Sequence, residues 1–367
     1  MSEHRPLRVL VSGGGTGGHI FPALSIADAL KRMNKDTEIL FVGAQDRMEM
    51  EKVPAAGYPI VGLPVAGFDR KRLWRNFAVL VKLAKSLAKA RKIVRDFKPD
   101  VAVGVGGYAS GPVLKQAQKL NVPTLLQEQN SYAGVTNKML ARKAMAICTA
   151  YPGMERFFPE EVIHVTGNPV RESLTSCSCT REEACAAFGF DPDKPLLFVT
   201  GGSLGAGTIN KSVEEAIPEF EKAGIQVLWQ TGKIYAERCA KAAEGHPSVK
   251  AMPFIADMAV AYRAADVVVA RAGAGTISEI ELLGKPAVLV PSPNVAEDHQ
   301  RKNAEALTSR DAAVMILDAE APARLGKEVI ALMKDKEKLE SLGRNAAALA
   351  CDGSADKIAR IVYSLVK

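Results

Sequence analysis

Five glycines fall within the six residues from Gly13 to Gly18, one residue after the apolar run Val9-Leu10-Val11 and directly before His19. Glycine tolerates positive φ and lets a main chain touch a ligand, while the N–H groups of a helix start favour an anion. The stretch is suited to holding a diphosphate or another anion. Gly13-x-Gly15-x-x-Gly18 has the spacing of a dinucleotide turn, yet Ile39 to Val42 is followed by Gly43-Ala44-Gln45 instead of the acidic residue that a nicotinamide cofactor needs there. Other polar groups stand in comparable places. Glu128 and Asn130 follow the apolar run Val122 to Leu126, where a parallel sheet binds ligands, or they brace a loop or cap a helix. Ser203, inside Gly201-Gly202-Ser203-Leu204-Gly205-Ala206-Gly207, is a helix cap or a phosphate ligand. Glu279 can accept both hydroxyls of a ribose, or it closes a capping box with Thr276.

These residues must be positioned by strands and helices that alternate along the chain. Short apolar runs at Val9 to Val11, Ile39 to Val42, Ile60 to Val65, Val101 to Val105, Val122 to Leu126, Ile147 to Ala150 and Val162 to Val165 read as strands. Thr166-Gly167-Asn168-Pro169-Val170-Arg171 then marks a turn and the domain junction. Strand, glycine turn and helix return at Pro195 to Thr200, with further strands at Val227 to Gln230, Val249 to Phe254, Val267 to Ala270 and Pro286 to Val290. The pattern predicts an α/β protein of two Rossmann-like domains with parallel sheets facing across a cleft, residues 1–167 and 168–353. Beyond the polar stretch Glu297 to Asn303 the chain reads as helical, ending in an amphipathic helix near 354–367.

Length supports two domains, since 367 residues exceed one ordinary core. No apolar run is long enough to span a membrane and the first residues lack a signal-peptide core, so a cytosolic protein is expected. The six cysteines form no C-x-x-C pair; a reduced, structural role is expected even for Cys177-x-Cys179. The net charge of +7 is localised. Residues Arg70 to Lys98 carry eleven Lys or Arg against the single acid Asp96, a net of +10, leaving the rest at about −3. Leu73, Phe77, Leu80, Ala84 and Leu87 give this segment one apolar stripe, predicting an amphipathic helix packed on a sheet. Trp74 and Phe77 among Arg70, Lys71, Arg72 and Arg75 also suit the surface of an anionic membrane. No nucleic-acid motif accompanies the charge, so nucleic acid is not an expected partner.

Seven segments in order resemble one family over nearly the whole chain. They are Gly13 to His19 with Phe21-Pro22, Gly106-Gly107-Tyr108-x-Ser110-Gly111-Pro112, Glu128-Gln129-Asn130, Gly167 to Arg171, Gly201-Gly202-Ser203-x-Gly205-Ala206, Arg271-x-Gly273-Ala274-x-Thr276-x-x-Glu279, and Asp298-His299-Gln300 with Asn303. Together they are similar to glycosyltransferase family 28, the peptidoglycan N-acetylglucosaminyltransferases that convert lipid I to lipid II. The resemblance implies a GT-B fold with the acceptor on the first domain, the sugar nucleotide mainly on the second, and the last helix crossing back to the first. It implies that UDP-N-acetylglucosamine meets Thr16, Gly17, Gly18, Asn130, Arg171, Ser203, Ile255, Ala274, Gly275, Thr276, Ile277, Ser278, Glu279 and Gln300. The main chain at Ile255 would read the uracil and Glu279 would hold the ribose. Lipid I and an anionic membrane would meet the first domain through Tyr108, Arg72, Trp74, Arg75 and Phe77, and other cell-wall synthesis and division proteins are possible partners.

With those substrates, inversion at the sugar requires a base for the acceptor hydroxyl and positive groups for the leaving diphosphate. His19 is the leading base because histidine titrates near working pH, with binding of the lipid diphosphate or substrate orientation as its other roles and Glu128 in reserve. Ser203, its helix start and Arg171 can receive the UDP, unless Arg171 is a surface hinge. No cofactor and no metal are expected, since no carboxylate pair is laid out for a metal.

Overall fold

A computed structural model describes residues 5–65, 76–295 and 298–366, with the main chain alone at 76–80. The chain divides into two compact units, residues 1–171 with 351–367, and residues 172–350. The change of unit thus falls at Arg171 and again at Ala350, a few residues from the junctions read in the sequence.

The first unit is built on a parallel sheet of β1 (Arg8–Gly13), β2 (Glu38–Ala44), β3 (Ile60–Leu63), β4 (Val101–Gly106), β5 (Thr124–Glu128), β6 (Ala146–Thr149) and β7 (Ile163–Val165), in the order 3-2-1-4-5-6-7. The second unit repeats the plan with β8 (Leu196–Thr200), β9 (Gln226–Gln230), β10 (Val249–Met252), β11 (Val267–Ala270), β12 (Ala287–Leu289) and β13 (Val314–Met315), in the order 10-9-8-11-12-13. In each, the order reverses beside the first strand, between β1 and β4 and between β8 and β11. Such a switch point opens a crevice at the carboxyl ends of the strands. The two-residue β13, paired with β12, lies where the sequence reads as wholly helical; it is too short for any periodicity to register.

Both sheets are covered on both faces, which is why their strands read as continuous apolar runs. Val9 and Val11 enter one core of the first unit with Ile26, Ala27 and Leu30, while Leu10 enters the opposite core with Leu114 and Leu126. The C-terminal helix Ser354–Ser364 also belongs here, placing Ile358, Ala359 and Val362 in the first core. Tyr363 and Thr37 share a hydrogen bond at 2.8 Å between their hydroxyls.

The basic helix spans Asn76–Phe97. Its buried face is Ser86, Ala90 and Val94, with Leu83 and Leu87 half-buried, whereas Ala84 is exposed. Of the stripe read in the sequence, Leu87 is half-buried and Ala84 faces solvent, while Leu73 and the side chains of Phe77 and Leu80 lie outside the described residues. Lys82, Lys85, Arg91, Lys92 and Arg95 face solvent, and Lys89 turns in to donate to the Gly62 carbonyl at 2.7 Å. Arg72, Trp74 and Arg75 lie outside the described residues, as do Gly67 to Arg70 and Glu297, and the Phe77 side chain is likewise outside them. Among the described residues no helix is long and apolar enough to cross a membrane.

One buried carboxyl makes stability depend on pH. Burial pushes Glu281, 9% exposed in the helix Ala274–Leu283, up to about 8. A carboxyl raised in the folded state contributes stability that is complete at low pH and lost as pH rises through the folded value. Glu281→Gln should match the parent near pH 4.5 and exceed it at alkaline pH, the gap growing by about 1.4 kcal/mol per pH unit until about pH 8. Denaturant melts across that range are the check.

Candidate functional site

In the first unit the turn after β1 meets the turn after β4. Gly106 and Gly107 have φ of +97° and +87°, and a Cβ on Gly107 would lie 2.3 Å from the Gly14 carbonyl oxygen. A Cβ on Gly106 would lie 2.7 Å from the His19 ring. The missing side chains let two main chains touch and leave room for the imidazole. His19 stands in the first turn of the helix Gly17–Met33, its Nδ1 at 3.2 Å from Thr16 Oγ1. With the proton on Nδ1 donated to Thr16, Nε2 carries the lone pair that a base requires. Phe21, from the same helix, lies under the Arg171 guanidinium at 4.5 Å from the ring centroid. Arg171 is thus packed against the helix that carries His19, at the position where the first unit ends. Tyr108 is 62% exposed beside the second turn.

A residue absent from the sequence reading sits beneath the first turn. Glu49 is fully buried; its Oε2 accepts the Gly15 N–H and its Oε1 the Ala44 N–H, each at 2.9 Å. Gly14 and Gly43 make way for it, since a Cβ on either would lie within 2.5 Å of its side chain. The carboxylate ties the turn to the end of β2. In sequence it is masked by Glu51 and by its place in a polar helix start.

Beyond β5, Glu128 is 2% exposed and accepts four N–H groups. Asn130 gives its main-chain N–H and Nδ2 to Oε1 at 3.2 and 3.3 Å; Gly134 N–H and Asn137 Nδ2 reach Oε2 at 2.9 and 2.8 Å. Burial pushes its carboxyl up, and the four donors oppose that shift. This is the geometry of a loop brace that orients Asn130. Gln127 and Gln129 are buried too: Gln129 Nε2 donates to the Val105 carbonyl at 2.6 Å and to Gln127 Oε1. Gln127 donates to Asn168 Oδ1, and Asn168 returns a bond to the Gln129 carbonyl, both at 3.0 Å. The segments Glu128-Gln129-Asn130 and Gly167-Asn168 are therefore one network.

In the second unit the turn after β8 leads into the helix Gly207–Lys222, whose first turn has neither an acidic residue nor a side-chain cap. Its N–H groups are suited to an anion. Ser203 is half-buried in this turn and Leu204 exposed. Asn210 fixes the helix, accepting Trp229 Nε1 and donating to the Thr231 carbonyl, both at 2.9 Å. Arg271 is directed inward, onto Asp318 and the Val290 and Pro291 carbonyls; Asp318 Oδ2 also accepts Thr208 Oγ1 at 2.9 Å. Arg271 holds the site together from below.

The helix Ala274–Leu283 begins after Gly273, so Thr276 is its third residue and not its cap. A Cβ on Gly275 would meet nothing within 4 Å, leaving open space over this helix start. Ala274, Ile277 and Ser278 are buried, Ile277 completely, so the Ile277 side chain belongs to the core and its main chain alone could serve a ligand. Glu279 accepts Tyr262 Oη on Oε2 at 2.9 Å, and Tyr262 packs edge-on to Phe198 of β8. Gln300 accepts the Ser292 N–H on Oε1 at 2.8 Å, which directs its NH2 elsewhere. Ile255 is buried, its N–H bound to Gln230 Oε1 at 2.9 Å.

Two doubly wound parallel sheets in one chain, each with glycine turns after the strands flanking its switch point, define a GT-B protein, a fold of nucleotide-sugar enzymes. The glycosyltransferase family 28 N-terminal domain matches residues 9–149 and the family's C-terminal domain residues 196–358. A UDP-N-acetylglucosamine--N-acetylmuramyl-(pentapeptide) pyrophosphoryl-undecaprenol N-acetylglucosamine transferase of Phocaeicola vulgatus is 58% identical over 98% of this chain and 96% of its own. The crystal structure of Acinetobacter baumannii MurG is similar with a TM-score of 0.76 at 27% identity, over 98% of this chain and all of that one. A putative UDP-N-acetylglucosamine 2-epimerase from Listeria monocytogenes has a TM-score of 0.71 at 12% identity, over 96% of this chain and 95% of that one, which shows the shared fold alone. The chain belongs to glycosyltransferase family 28.

The turns differ in what they tolerate. Gly15 has φ +88° but open space where a Cβ would stand, whereas at Gly107 positive φ is combined with a main-chain clash. Gly15→Ala should cost about 1 kcal/mol and Gly107→Ala about 3 kcal/mol or more in denaturant melts.

Proposed function

We propose that this enzyme transfers N-acetylglucosamine from UDP-N-acetylglucosamine to the muramoyl 4-hydroxyl of lipid I, undecaprenyl-diphospho-muramoylpentapeptide, giving lipid II in peptidoglycan synthesis. The observation that carries this reading is the match along nearly the whole of both chains to relatives named for that transfer. The fold by itself would serve an epimerase equally.

The donor's uridine is assigned to the second unit, with the Ile255 main chain at the uracil and Glu279 at the ribose. Tyr262 on one oxygen of Glu279 supports that role by fixing the carboxylate. The open helix start around Gly275 and Thr276 and the Gln300 amide would face the sugar nucleotide. Ser203 and the uncapped helix start behind it would hold the diphosphate, where the developing charge meets N–H groups instead of acids. On the first unit, Thr16 to Gly18, Asn130 and Arg171 are assigned to the transferred sugar and its leaving group. His19 takes the proton from the acceptor hydroxyl as the bond to the anomeric carbon forms and the bond to UDP breaks. The Thr16 contact supports this role by holding the imidazole ring at Nδ1, which leaves Nε2 for the substrate. Glu128, engaged by four N–H groups, orients Asn130 and the loop.

Attachment to the cytoplasmic face of an anionic membrane is proposed through Arg72, Trp74, Arg75 and Phe77, with Tyr108 on the acceptor side. The basic solvent face of the helix Asn76–Phe97 supports it.

Labelled N-acetylglucosamine should pass from UDP to a short-chain lipid I analogue with chelator present; epimerised sugar nucleotide instead would overturn the reading. His19→Ala should lower turnover about a hundredfold or more with UDP-sugar affinity little changed. Near-normal turnover would remove His19 from the base role. Arg72→Glu with Arg75→Glu should weaken cosedimentation with anionic vesicles, and an unchanged pellet would contradict membrane docking at this segment.

A further inference from the structure

One buried side chain in the second unit touches both places assigned to opposite ends of UDP. Gln230, the last residue of β9, is 3% exposed. Its Oε1 accepts the Ile255 N–H at 2.9 Å, while its Nε2 donates to Thr200 Oγ1 at 2.9 Å and to the Gly202 carbonyl at 3.3 Å. The Gly202 N–H donates in turn to Thr200 Oγ1 at 3.1 Å. Acceptor toward Ile255 and donor toward the turn is the one orientation of the amide that satisfies all three partners. We propose that Gln230 is a positioning residue for the donor nucleotide, fixing the span between the turn that holds the diphosphate and the main chain that reads the base. The inference rests on the donor assignment above.

The chemistry of the position selects a neutral amide. A carboxylate could still accept the Ile255 N–H, but it would set lone pairs against the Gly202 carbonyl and a negative charge beneath the diphosphate. Asparagine keeps the chemistry but is one carbon shorter, about 1.5 Å, and cannot reach both sides. The first unit supplies the contrast. There the clamp comes from just beyond the second strand instead of its last residue, and it is the carboxylate of Glu49, on the Gly15 and Ala44 N–H groups. A negative clamp lies under the turn that carries His19, where positive charge develops as a base takes a proton. A neutral clamp lies under the turn assigned to two phosphates.

The test is the advantage of UDP over uridine, which isolates the diphosphate from the base. Both ligands are titrated calorimetrically into the full chain, into Gln230→Glu and into Gln230→Asn. The parent should bind UDP well above uridine, and in both variants that ratio should shrink about tenfold, equivalent to about 1.4 kcal/mol. The KM for UDP-N-acetylglucosamine should rise correspondingly with kcat less affected. Equal weakening of UDP and uridine would reduce Gln230 to a structural support and overturn the proposal, as would an unchanged ratio in both variants. A parent with no preference for UDP would instead overturn the donor assignment itself.

Discussion

Contact between two main chains at the Gly14 carbonyl is the constraint on which the first unit's site depends. The turns after β1 and β4 come from strands adjacent at the switch point, and they close on one another because Gly107 has no side chain to hold them apart. Their closure sets the space into which the His19 ring fits beside Gly106, and Glu49 secures the first turn from the other side. Thr16 then fixes the imidazole and Phe21 carries Arg171. Removing the close approach would displace several groups at once, although no side chain of the contact itself does chemistry.

Much of this arrangement was legible in the sequence. Buried parallel strands are unbroken apolar runs, so β1, β4, β8 and β11 stand out, and glycines following them announce the turns. The supporting residues were not legible, because their value depends on where they point. Glu49 looks like one more acid in a polar helix start until its two backbone donors are known. Gln230 ends an apolar strand and carries no local pattern. Glu128 was legible as a polar group at a strand end, but the donors from Asn130, Gly134 and Asn137 that engage it could not be read from spacing. That Ala84 faces solvent and Ala90 the core escaped notice because alanine is compatible with either face.

The two units solve one architectural problem with different electrostatics. Each sheet offers glycine turns and helix starts at a switch point. In the second unit the supporting partners of the first turn are an amide and a hydroxyl, Gln230 and Thr200, and the nearby Arg271 is neutralised by Asp318. In the first unit the first turn rests on the buried carboxylate of Glu49, held by two N–H donors, and the loop after β5 rests on that of Glu128, held by four, beside the amides Gln127, Gln129 and Asn168. Shared topology therefore does not imply shared ligand chemistry, and assignment by fold would miss the difference.

The return of the C-terminal helix orders events during synthesis. The first unit is made of residues 1–171 and 351–367, so the part translated first cannot close its core until residues 351–367 have been made. Until then the face lined by Ile26, Ala27 and Leu30 lacks Ile358, Ala359 and Val362, and Thr37 lacks Tyr363. The second unit, contiguous from 172 to 350, is complete earlier. Without residues 351–367 the histidine-bearing unit has an open hydrophobic face, of the kind that chaperones and proteases recognise.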